Sequence, residues 1–224
     1  MTSDCEDDGM RAGFQGDLLE IGRLLVSMAE AARSAMTRAT AALLDTDRGL
    51  AAEVVARDAE LDALYGQVEE LVHAVLARQA PVAGDLRLVV SALHIAADIE
   101  RMGDLAVHVA RACLRRYPAP VVPPELVRVF QEMGVAADRI SAEMGLVLTA
   151  PDAGRAAELE QADDAMDGLH RQLFELLLGP DWSRGIEPAV DAALLGRFYE
   201  RYADHAVNAG QRIVFLITGE KRPA

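Results

Sequence analysis

From Phe14 onward, apolar residues recur at alternating steps of four and three: Phe14, Leu18, Ile21, Leu25, Met28, Ala32, Ala35, Ala39, Ala42. An α-helix turns by about 100° per residue, so this spacing lines the side chains up along one stripe. A chain built from such stripes must bury them against other helices. The first stripe stops at Asp45-Thr46-Asp47-Arg48-Gly49, a cluster of turn formers. The second runs Leu50, Val54, Leu61, Leu64, Val68, Leu71, Val75, with Arg57 as its one polar interruption, and breaks at Gln79-Ala80-Pro81. The third runs Leu88, Ala92, Ile95, Ile99, Met102, Ala106, Val109, Cys113. It stops before Tyr117-Pro118-Ala119-Pro120, which with Pro123-Pro124 reads as a stiff linker over 118–124.

Beyond the linker the same plan returns. Leu126, Phe130, Met133, Ala137, Ile140, Met144 and Val147 make a fourth stripe. Leu159, Ala162, Met166, Leu169, Leu173 and Leu176 make a fifth, and Ala192 through Tyr199, Tyr202, Ala206 and Ala209 to Leu216 make a sixth. An offset of 105 residues maps Met28 onto Met133, Leu61 onto Met166 and Leu71 onto Leu176. In the third helix of each set the offset is 100, so Ile95 falls on Leu195 and Met102 on Tyr202. The chain is an internal duplication of a three-helix unit. Short loops make sequential helices antiparallel. The expected fold is therefore all-α: two tandem, pseudo-symmetric three-helix bundles, each with its own core. The expected boundaries are a disordered acidic leader over 1–9, a first unit over 10–117, the linker over 118–124 and a second unit over 125–219.

Composition narrows the function classes. Only 4% of residues are aromatic, which speaks against a large sheet. Thirty-six acidic residues against 22 basic ones leave a net charge of −14, and no basic stripe is present to track a phosphate backbone, so nucleic acid is not an expected partner. Cys5 and Cys113 are expected as free thiols of a reducing compartment. The acidic segment 1–9 does not resemble a signal peptide, and no stretch is apolar enough to span a bilayer, so a cytoplasmic location is expected.

Core periodicity must survive any helical duplication; repeated polar residues carry more information. Asp58 and Asp62 in the second helix recur as Asp163 and Asp167 in the fifth. Glu100 and Asp104 in the third recur as Glu200 and Asp204 in the sixth. Each unit thus carries two acidic i, i+4 pairs on adjacent helices. Like charges one turn apart repel by a few tenths of a kcal/mol, roughly. Four carboxylates from two helices suit a hard cation such as Mg, Ca, Mn or iron. Neutralisation by Arg57, Arg101, Arg111, Arg197 and Arg201 is the plain structural alternative. His108 and Asn208 continue the two ladders by one turn, as less certain ligands, and His170 shares the Asp167 flank. Glu70 and His73 have the Glu-x-x-His spacing of a ferritin-like di-iron centre, but both point away from the stripe. Tyr199 and Tyr202 read as core residues, and Trp182 as a pin for the loop before the sixth helix. No phosphate-cradling glycine loop or nucleophile elbow is present, so no enzyme activity is expected.

The stretch Asp98-Ile-Glu-Arg-Met-Gly-Asp-Leu-Ala-Val-His-Val-Ala resembles the PhoU family. So do Tyr199-Glu-Arg-Tyr-Ala-Asp-His-Ala-Val-Asn, Pro81-Val-Ala-Gly-Asp-Leu-Arg, Arg57-Asp-Ala-Glu-Leu-Asp and the opening Met10-Arg-x-x-Phe. The resemblance implies paired, spectrin-like three-helix repeats. It implies a cytoplasmic adaptor that negatively regulates phosphate uptake and phosphate-starvation signalling. The implied partners are a phosphate ABC transporter ATPase and a phosphate-sensing histidine kinase, with membrane association only through proteins and homodimerisation left open. It further implies metal clusters on Asp58, Asp62, Glu100, Asp104, Asp163, Asp167, Glu200 and Asp204, with Fe, Mg, Mn, Zn and Ca all open as the metal. Where the family has Asn, this chain has His108. The alternative reading is a metal-handling, ferritin-like bundle enzyme. Docking is expected on the acid-bearing outer faces of the third and sixth helices, which also carry Leu86, Val90 and Leu93, and Ile186, Val190 and Ala193.

Overall fold

A computed structural model describes the backbone of residues 3–79, 81–150 and 153–218, and the side chains of residues 13–79, 81–150, 154–155 and 158–216. The helices are α1 (Ser3–Asp45), α2 (Arg48–Gln79), α3 (Ala83–Arg116), α4 (Val127–Thr149), α5 (Ala153–Leu178) and α6 (Ile186–Thr218), with a single 3₁₀ turn at Pro124–Leu126. No strand occurs among the described residues. Helix begins at Ser3, inside the segment 1–9 expected as a disordered leader; the side chain of Cys5 lies outside the described residues.

Each stop signal acts by a visible device. At the α1–α2 turn Thr46 adopts a φ of 56°, and the Asp47 carboxylate accepts the Leu50 N–H at 3.0 Å, capping α2. Before α6, Gly185 has a φ of 86°, a conformation that favours glycine. The Trp182 indole N–H donates to the Gly185 carbonyl at 2.9 Å, which pins that loop as expected.

The two units do not keep separate cores, contrary to the expectation. α1 packs along α4 and α3 along α6 about as extensively as helices pack within a unit, and one apolar cluster runs through all six. The seam between units also carries polar ties. The Tyr199 hydroxyl lies 2.7 Å from Thr40 Oγ1, and the Tyr202 hydroxyl lies 2.7 Å from Ser141 Oγ and donates to the Ala32 carbonyl at 3.3 Å. Met102 and Tyr202, equivalent in the repeat, are both fully buried. Arg33 grips Asp138 with two bonds of 2.7 and 2.8 Å, and these residues stand 105 positions apart. They are each other's counterparts, so their contact marks where the pseudo-twofold axis crosses the α1–α4 seam. The linker also joins the core rather than hanging free, because Val121 and Val122 are buried.

Candidate functional site

α2 and α3 are antiparallel neighbours, as are α5 and α6, and each pair brings its acidic residues to a common groove. In the first groove burial raises the pKa of Asp58, and the charges of Asp62 and Asp104 raise it further. Glu100 is raised in the same way, by burial first and then by Asp104, Asp62 and Asp58. In the second groove burial, together with Asp167, Asp204, Asp164 and Glu200, pushes Asp163 up to about 6. Glu200 is raised by burial and by Asp204 and Asp167. All eight carboxylates singled out in the sequence therefore fall into two mutually repelling sets of four, one per unit.

Their positions differ from the helical-wheel expectation in one respect. Glu100 and Glu200 do not face outward, opposite the core. Their side chains are only 20% and 15% exposed, turned into the grooves beside α2 and α5. Asp62, Asp167 and Asp204 are the exposed members. Leu93 and Ala193 are half-buried against the core, whereas Leu86, Val90, Ile186 and Val190 are exposed.

The arginines that neutralise the two sets are not equivalent. Arg101 reaches both Glu100, at 3.3 Å, and Asp104, at 2.7 Å. In the second groove Arg197, one turn before Glu200, pairs with that residue alone. Arg57 turns to Glu60 instead. Among the described residues, Asp163, Asp167 and Asp204 make no ion pair. The second groove also holds two buried polar atoms without a hydrogen-bond partner, Glu200 Oε2 and His170 Nε2. His170 lies close enough to help offset the charge of Glu200. It approaches because residue 196 is glycine: a Cβ there would lie 3.2 Å from His170 Cδ2 and 2.4 Å from Leu173 Cδ2. Tyr65, its first-unit counterpart, donates instead to Glu69 at 3.3 Å.

His108 has a second role that its sequence position conceals. Its ring stacks on Phe198 of the other unit at 5.1 Å and 20°, while it stays within electrostatic reach of Asp58. Asn208 is exposed one turn beyond Asp204. Glu70 and His73 are both exposed on α2, so they do not form an interior ferritin-like ligand pair. Beside Asp58 a cavity of about 50 Å³ is lined by Arg38, Arg57, Leu61 and Gly103, a size suited to waters or a bare ion.

The fit to a cation can be judged from these atoms. Among the described residues no three His, Cys, Asp or Glu side chains already converge as a ready ligand set. The donor chemistry, carboxylate oxygen throughout with one imidazole in the second groove, suits hard or borderline cations. Glu200 Oε2 and His170 Nε2 stand without competing bonds, so the second groove fits better than the first, where Arg101 must first release two carboxylates.

Comparison with known proteins places this arrangement. A family model described as "PhoU domain" matches residues 25–113 and again 130–213. A Mycobacterium tuberculosis protein named phosphate-specific transport system accessory protein PhoU homolog 2 is 44% identical over 210 residues, covering 94% of this chain and 99% of that one. The PhoU homolog 1 of Mycobacterium leprae is 44% identical over 214 residues, covering 94% and 95%. The crystal structure of PhoU from Pseudomonas aeruginosa superposes with a TM-score of 0.84 at 26% identity, over 92% of this chain and 100% of that one.

Proposed function

This chain belongs to the PhoU family, and from that premise we propose that it is an accessory protein of phosphate-specific transport that restrains phosphate uptake. The carrying observation is that the relation to named accessory proteins covers 94% of the chain, while one acidic groove stands in each unit. In this reading the protein works as an adaptor. It contacts the transporter's ATPase and a phosphate-sensing histidine kinase from the cytoplasmic side, and it lowers both uptake and starvation signalling. No described helix is long and apolar enough to cross a membrane, and a net charge of −14 disfavours anionic lipid, so protein partners must bring it to the transporter.

The grooves are the adaptor's variable part. Asp58, Asp62, Glu100 and Asp104 would hold a cation in the first, and Asp163, Asp167, Glu200 and Asp204 in the second, with His108, His170 and Asn208 at their margins. Fe, Mg, Mn, Zn and Ca are all compatible with these donors. A bound cation supplies positive charge that replaces the arginines and relieves repulsion among the carboxylates. The part-buried Glu100 and Glu200, with Asp58 and Asp163, tie the cation to the core helices. The exposed Asp62, Asp167 and Asp204 remain within reach of a partner's surface.

The test is phosphate uptake under phosphate-replete conditions in cells lacking the chain. Uptake of labelled phosphate is expected to stay high without it and to fall when the wild-type chain returns. A variant carrying Glu100→Lys and Glu200→Lys should keep its helical circular dichroism and fail to restrain uptake. Equal uptake with and without the wild-type chain would refute the proposal.

A further inference from the structure

Leu86 and Val90 of α3 and their repeat counterparts Ile186 and Val190 of α6 are all exposed, but among the described residues only the second unit adds exposed large apolar residues on the neighbouring helix, α5. At the α5–α6 end of the molecule Phe174 is 39% exposed, Leu178 83%, Ile186 83%, Val190 51% and Leu194 47%. α5 and α6 are packed neighbours joined by a short loop, so the C-terminal end of α5 and the N-terminal end of α6 bring this set to one end of the unit. A groove of about 620 Å³ runs beside His170, Phe174 and Leu178. By the repeat offsets, the counterparts of Phe174, Leu178 and Leu194 are Glu69, His73 and His94. Exposed apolar surface of this extent on one end of a protein marks an interaction site.

What covers it follows from charge. On α5 the stripe runs from Leu178 through Phe174 and His170 to Asp167 and Asp163, with Arg171 and Glu175 along the groove's side, so an apolar end leads to an acidic end on one helix face. On α6 Ile186 and Val190 lie toward the same end, followed by Arg197, which pairs with Glu200, and then by Asp204, which is left to a partner. Asp163, Asp167 and Asp204 make no ion pair among the described residues.

We propose that this band of the second unit is the docking site for a basic amphipathic helix of a partner protein. The partner's apolar residues seat on Phe174, Leu178, Ile186 and Val190, and its Lys or Arg residues reach Asp163, Asp167 and Asp204. The rise of an α-helix sets the partner's spacing: Asp167 and Asp163 lie about 10 and 16 Å along α5 from Phe174, so the basic residues fall about two to three turns beyond the apolar anchor. Such helix-in-groove recognition reads apolar anchors on one face and fixes register by charge. Among the described residues α2 exposes no large apolar side chain to match Phe174 and Leu178, so one chain takes one such helix despite its duplication. The proposal rests on the adaptor reading above and names the partner's chemistry.

The test uses the full chain and a labelled helical peptide with leucines on one face at one end and lysines and arginines two to three turns away. Fluorescence anisotropy should show binding that weakens with salt. Phe174→Glu with Leu178→Glu should weaken it about tenfold, the scale of a lost interface anchor. Asp163→Asn with Asp167→Asn should also weaken it, and Leu86→Glu with Val90→Glu in the first unit should leave it unchanged. If the α5 double variant loses its helical circular dichroism, Ile186→Lys, at the largely exposed start of α6, serves in its place. Absence of binding overturns the proposal, as does equal binding of a peptide with glutamates replacing the basic residues. Two further results overturn it by naming another occupant. One is a dimer in sedimentation that Phe174→Glu with Leu178→Glu converts to monomer, which assigns the surface to a second copy. The other is wild-type binding to anionic vesicles that the same variant loses. A chain that binds the peptide but fails to restrain phosphate uptake separates this inference from the adaptor reading.

Discussion

The grooves of the two units place four carboxylates at equivalent positions, yet they neutralise them differently. In the first, Arg101 spans Glu100 and Asp104, and Tyr65 occupies the place of His170. In the second, Arg197 holds Glu200 alone, Gly196 admits His170, and Glu200 Oε2 and His170 Nε2 are buried without partners. Duplication fixed where the acids stand, because both helices of a unit must keep their register to pack. It did not fix what surrounds them: Tyr65 stands where the second unit has His170, Ala96 where it has Gly196, and Arg101 reaches two carboxylates where Arg197 reaches one. The first groove is the more self-satisfied of the two, and the second is the more receptive.

The largest expected effect concerns whether the two units can be compared as independent halves at all. Phe130, fully buried on α4, meets Tyr199 with ring centroids 6.0 Å apart, and Tyr199 in turn reaches Thr40 of the first unit. Phe130→Ala should cost about 3–5 kcal/mol. Urea unfolding followed by circular dichroism should remain one transition for both proteins. A second transition in the variant would show that the units fold separately.

Next in size is the charge repulsion in the second groove. Asp163 has its pKa raised from the ordinary 3.8 to about 6, so folding favours its protonated form. That contribution is complete below the unfolded value and is lost as pH rises through about 6. Stability should therefore increase as the metal-free chain is taken from pH 7 towards pH 5. Asp163→Asn should stabilise it by roughly 1–2 kcal/mol at pH 7, less than the full shift because solvent screens part of the charge. Thermal melts across pH check both statements, and a flat profile for the wild-type chain would contradict them. Asp58→Asn should act in the same direction in the first groove.

Gly196→Ala tests the packing that distinguishes the second groove. The added methyl would meet Leu173 Cδ2 at 2.4 Å, and the flexible tip of that side chain must shift. Overpacking should cost about 1 kcal/mol beyond the helix-propensity gain of alanine over glycine. It should also move His170, which the imidazole resonances in an NMR spectrum report. The smallest effect belongs to the axis contact. Arg33→Ala removes the Arg33–Asp138 pair, which is 44% and 40% exposed at its two ends, and should cost under about 1 kcal/mol. The Arg33 bond holds the Asp138 carboxyl below its ordinary range, so the loss should be full above the usual carboxylate pKa and vanish as pH falls through the lowered one.

The helices and the pairing of the acids were legible because both follow from spacing: Asp58 with Asp62 and Glu100 with Asp104 recur at the repeat offsets. The merged core was not legible, because a stripe shows that a face is buried without showing which helix covers it. Tyr199 and Tyr202 read as core, and only packing shows that they tie α6 to α1. The inward turn of Glu100 was missed for a related reason. α3 is covered on two sides, by its own unit and by α6, so the face opposite its seam is a groove wall rather than a solvent face. His170 had a weak signal, its place on the Asp167 flank, but its approach depends on a glycine 26 positions away on another helix. His108 against Phe198 joins two units and has no local trace in either.

Under the proposed function, one acidic groove able to hold a cation was duplicated and its two copies diverged, the second being the less neutralised. Calorimetric titration of Mn²⁺ into the metal-free chain tests it most directly. Two sites of unequal affinity are expected. Glu200→Gln should abolish or weaken one and leave the other, while Asp104→Asn should do the reverse, and the tighter should be the one that Glu200→Gln removes. Equal weakening of both sites by either substitution, or unchanged binding in a variant lacking all eight carboxylates, would contradict it.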